Sequence, residues 1–156
     1  MFVRFFSELP VRYEVATRAL ESLPGNWLPD AAPDGPRLTA RLRLDIGGME
    51  IGKRVEVEVG APQHGDAKTS VPIWWHATGP KGLFPVVEGQ IVVSPYIGGT
   101  TLLAVMVHYS PPLGALGEAA DKALFHRMAE ATLADFRDRL GSAIPAGSAR
   151  PASARD

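Results

Sequence analysis

The segment from Tyr109 to Leu140 constrains the fold most, because a strand-like run stops at a double proline and a long amphipathic helix begins just beyond it. Pro111 and Pro112 donate no hydrogen bond to a β-ladder and hold φ near −65°, so the strand ends there and the chain leaves stiffly. Gly114 and Gly117 then permit close backbone approaches that larger residues resist. Leu124, Phe125, Met128, Ala129, Thr132, Leu133, Phe136 and Leu140 follow at helical spacing and gather on one broad face, with Glu130, Arg137 and Asp138 opposite. A helix of about 25 residues at 1.5 Å per residue spans roughly 37 Å, the length of several strands laid side by side. Such a helix is built to lie on a sheet.

The rest of the chain supplies the sheet. Phe2, Val3, Phe5 and Phe6 read as a first strand ending near Pro10, and Tyr13 to Leu23 as a short helix broken by Pro24-Gly25. Trp27 and Leu28 read as a second short helix or a turn, and Asp30 to Pro36 as a loop. From Leu38 the period becomes two: Leu38, Ala40, Leu42, Leu44 and Ile46 alternate with polar residues, as do Met49, Ile51, Val55, Val57 and Val59 after the Gly47-Gly48 turn. That is a β-hairpin, with arginines and glutamates on its wet face. Ala61 to Lys68 reads as a polar loop, and further strands are predicted over 69–78, 86–94 and 100–109, separated by Gly- and Pro-rich turns. The reading is one domain over 1–140 and a disordered tail over 141–156, whose Ala, Ser, Gly, Pro and Arg bury too little to order it.

Composition narrows the function classes. The 156 residues suit a single core that buries about 70% of the unfolded surface. With 16 Lys and Arg against 17 Asp and Glu, there is no bulk attraction to nucleic acid or anionic membrane. The absence of cysteine excludes disulfides, thiolate metal sites and thiol nucleophiles. Arg4 and Glu8 interrupt the apolar N-terminus, and Pro95, Gly98 and Gly99 interrupt the most apolar stretch, so neither reads as a signal peptide or a membrane span. The expectation is a cytoplasmic protein with no stable membrane insertion.

The runs Trp75-His76-Ala77-Thr78-Gly79-Pro80, Leu83-Phe84-Pro85, Tyr109-Ser110-Pro111-Pro112-Leu113-Gly114 and Arg127-Met128-Ala129-Glu130-Ala131-Thr132 come in an order that resembles the START-like, or SRPBCC, superfamily of polyketide cyclases and lipid-transfer domains. The likeness is strongest to a bacterial branch and covers nearly all of Met1 to Leu140. It implies an α+β helix-grip fold: a curved antiparallel sheet of about six strands wrapped around the long C-terminal helix, with one or two short helices after strand 1. It also implies a pocket for a lipid, polyketide or similar apolar molecule. It implies no single chemistry, because one scaffold hosts enzymes, carriers and partner-binding proteins.

On that reading, Trp75, Tyr96, Phe125, Met128, Ala129, Thr132 and Phe136 are the candidate cavity residues. Trp74 and Trp75 are adjacent on a strand, so one faces inward and the other outward, in an order left open. Glu88 either turns inward at a high desolvation cost or sits at a wet edge, and Tyr109 lies either at the cavity mouth or bonded to its own turn. His76, His108 and Tyr96 are the candidate proton-transfer groups, since imidazole titrates near neutrality. The four histidines lack the spacing of a metal motif, and no hydroxyl sits in a nucleophile elbow, so neither metal nor cofactor is expected. The leading function is hydrophobic small-molecule binding, ahead of a cyclase or aromatase-like enzyme and of a protein-interaction module, with a homodimer left open.

Overall fold

The computed structural model describes residues 2–28, 30–34, 37–46, 49–77, 86–110 and 119–148. Strand β1 (Phe2–Leu9) leads into helix α1 (Tyr13–Glu21) and a 3-10 turn at Pro24–Asn26. Strands β2 (Ala32–Asp34), β3 (Arg37–Ile46), β4 (Met49–Val59), β5 (Gln63–Gly65), β6 (Lys68–Ala77), β7 (Val86–Pro95) and β8 (Thr101–Ser110) follow, and helix α2 (Ala119–Ser148) closes the described chain. All pairings are antiparallel, in the order β1-β8-β7-β6-β4-β3-β2, with β5 folded onto β6. The helix-grip architecture is therefore present, with the β3–β4 hairpin in the pairing that its alternation demands.

Alternation decides which side of the sheet meets the helices. Val55 and Val57 on β4, Val71, Ile73 and Trp75 on β6, and Leu103, Val105 and Val107 on β8 are buried, whereas Arg54, Glu58, His76 and His108 are exposed. Gly89, midway along β7 and opposite Val107, lets the sheet close up: a Cβ there would collide with the Met106 carbonyl oxygen and lie 2.7 Å from Val107 Cγ1. Helix α1 contributes Ala16, Ala19 and Leu20 at i, i+3 and i+4, and Leu133, Phe136, Leu140 and Ile144 form the matching stripe on α2.

Two readings need correction. The short segments 32–34 and 63–65 are strands, where composition predicted loops. Trp27 closes the 3-10 turn, as the short-helix-or-turn reading allowed, and is fully buried in the core. The helix does not stop at Leu140 but continues to Ser148, through Gly141 and Pro145. Burial drives that extension: Ile144 is fully buried, a Cβ on Gly141 would lie 3.8 Å from Leu9 Cδ2, and one on Gly147 would stand 2.7 Å from the Asn26 carbonyl oxygen. Residues 149–156 of the expected tail lie outside the described residues.

Candidate functional site

The concave face of the sheet is graded from one end to the other. Along β6 the inward residues run Thr69, Val71, Ile73, Trp75, a span of about 20 Å at 3.3 Å per residue. At the Thr69 end lie α1 and the C-terminal part of α2, and the polar groups there satisfy one another. Thr69, fully buried, shares hydrogen bonds with Tyr13 Oη (2.9 Å), Thr17 Oγ1 (3.3 Å) and His64 Nδ1 (3.3 Å). His64 Nε2 stands 3.3 Å from Glu21 Oε1, and Thr101 donates to the Val11 carbonyl at 2.8 Å. A hydroxyl has one donor and two acceptor positions, so Thr69 is saturated by this network. Its work is to pin α1 to the β5–β6 corner.

The opposite end is apolar. Trp75 lies in a cross-strand row between Val57 and Val87, and its ring meets Phe136 of α2 edge-to-face, with centroids 5.2 Å apart and planes at 68°. That arrangement sets the positive edge of one ring against the face of the other. Trp75 is 4% exposed and Phe136 3%. The buried inward residues Val55, Val57, Val71, Ile73, Trp75, Val87, Val105 and Val107 carry no ionisable group. At the other end, next to the Asn26 seat of the α2 C-terminus, Trp27 holds a buried indole N–H with no hydrogen-bond partner among the described residues.

The structure brings together two of the seven candidate cavity residues, Trp75 and Phe136. Phe125, Met128, Ala129 and Thr132 belong to α2, but their side chains lie outside the described residues, as does that of Tyr109. Tyr96 is 44% exposed in the turn between β7 and β8, where its N–H donates to the Thr100 carbonyl at 2.9 Å. His76 and His108 point away from the interior: with Trp75 and Val107 turned inward, their neighbours on a regular strand must turn out. His76 sits between Glu56 and Val86, and His108 between Phe2 and Glu88, all on the outer face. Trp74 and Glu88 share that face, which settles both open orientations. The signal was present in the sequence, since Val71, Ile73 and Trp75 keep one parity while Ser70, Pro72 and His76 keep the other.

Neither a protein-family model nor a curated protein sequence matches the chain. Solved structures match over nearly its whole length. A Thermus thermophilus protein aligns with a TM-score of 0.58 at 19% identity, covering 96% of this chain and 100% of its own. A START superfamily protein from Mycobacterium smegmatis aligns at 0.55 and 18% identity, with 92% and 94% covered. An aromatase/cyclase from a Streptomyces species aligns at 0.54 and 13% identity, with 95% and 93% covered. At these identities the likeness is one of fold.

Proposed function

We propose, from a START-like helix-grip fold whose inner wall is apolar, that this protein binds one hydrophobic small molecule between the Trp75 end of the sheet and α2. The observation that carries the reading is the grading of the interior. Its buried hydroxyls are gathered and saturated at the α1 end, while the Trp75 end offers valines and two aromatic rings. The buried valines and aromatic rings around Trp75 favour an apolar ligand through desolvation, and pockets of this kind hold orientation with a few polar contacts at most. The START superfamily protein and the aromatase/cyclase among the similar folds fit a lipid or polyketide-like cargo. A cyclase-like reaction would need groups other than His76 and His108, which face outward.

Titration with a naturally fluorescent polyene fatty acid tests the reading. Saturable uptake near one equivalent, with quenching of tryptophan emission, is the predicted result. Trp75→Phe removes most of that quenching and Trp74→Phe little, because of these two only Trp75 faces the interior. Absence of saturable uptake, or equal loss from both variants, contradicts it.

A further inference from the structure

The two edges of the sheet are treated differently. At one end of the strand order β2 has only three residues, Ala32–Asp34, and Pro33 stands in its middle, the usual way of blunting an edge against unwanted pairing. At the other end β1 has eight residues, paired with β8 in unbroken register, with no proline or bulge. Among the described residues, the backbone of 2–9 bonds to β8 alone. The outward row of β1 is Phe2, Arg4, Phe6 and Glu8, with both phenylalanines 54% exposed. Arg4 lies over the Phe2 ring at 4.8 Å, and neither Arg4 nor Glu8 has an ion-pair partner among the described residues.

We infer that β1 is a self-association edge: a second copy of this chain sets its own β1 antiparallel beside it about a twofold axis, and the sheet continues across both. An isologous contact requires a self-complementary strand. Pairing Phe6 with Phe6 of the second copy places Arg4 opposite Glu8, twice by symmetry, and keeps all four charges on the outer face. Sliding by one pair either way sets Arg4 or Glu8 against a phenylalanine, and sliding by two sets like charges against each other. The charge pattern of Arg4 and Glu8, which have no ion-pair partner among the described residues, therefore selects one register and rejects its neighbours.

Sedimentation of the full chain over a wide concentration range tests this. A species of twice the 16.7 kDa chain mass is expected. Arg4→Glu faces Glu8 with a like charge and weakens dimerisation by about tenfold or more, while the double variant Arg4→Glu with Glu8→Arg restores it. Both sites are exposed, and circular dichroism checks that each variant keeps the fold. A monomer throughout, a dimer indifferent to Arg4→Glu, or a double variant as weak as the single one overturns the inference.

Discussion

Thr69 carries more of the tertiary tie between α1 and the sheet than any other described polar side chain. Its hydroxyl joins Tyr13, Thr17 and His64 without access to water. Thr69→Val keeps the shape and removes the hub, so the stranded partners cost about 1–3 kcal/mol, measurable by urea denaturation. An unchanged midpoint would show that the network contributes nothing net. Gly89→Ala tests the close approach to Val107: added volume without room costs about 1–3 kcal/mol or more, read as a fall in melting temperature. His76→Phe and His108→Phe should leave fatty-acid uptake unaltered, since both rings face outward; a loss of uptake in either would place that histidine at the site. At this scale the sequence showed which residues alternate but left open which of Trp74 and Trp75 turns inward, and burial of Trp75 in the fold decides it. It did not show Trp27 as core, because an isolated aromatic in a Pro- and Gly-rich stretch has no period to place it.

The elements were legible wherever the pattern was long. The β3–β4 hairpin, β6, β7, β8 and the existence of α2 all follow from alternation or helical spacing sustained over about ten residues or more. The three-residue strands β2 and β5 are too short to show a period and are held by pairing with β3 and β6. The end of α2 was hidden for a different reason. Gly141, Pro145 and Gly147 are poor helix formers, and what overrides them is burial of Ile144 and a seat against Asn26 and Leu9. Pro145 removes one hydrogen bond in the last turns, a cost that the packing of Ile144 offsets. Ile144→Ala should therefore destabilise the protein by about 2–5 kcal/mol. A neutral result would restore the reading of an unstructured tail from residue 141. Arg139 ties the same stretch to Asp30 and Asp135, but these pairs are partly exposed, and Arg139→Ala is expected to cost only about 0–1 kcal/mol.

For the whole molecule, the helix predicted beyond the Pro111-Pro112 stop does what its apolar face suggested and lies against the sheet, with Phe136 on Trp75. Among the described residues no helix is long and apolar enough to cross a membrane. The interior divides into an end locked by hydrogen bonds to α1 and an end walled by valines and aromatic rings, and the proposed binding activity rests on that division. Composition could not reveal the division, because threonine and valine fit a strand equally well and only the fold decides which hydroxyls meet. Native mass spectrometry of protein purified from its own host tests the central claim most directly. The account predicts a species heavier than the bare chain by one apolar molecule, released on denaturation and replaced stoichiometrically by an added fatty acid. Bare polypeptide that takes up neither fatty acids nor polycyclic aromatics would contradict it.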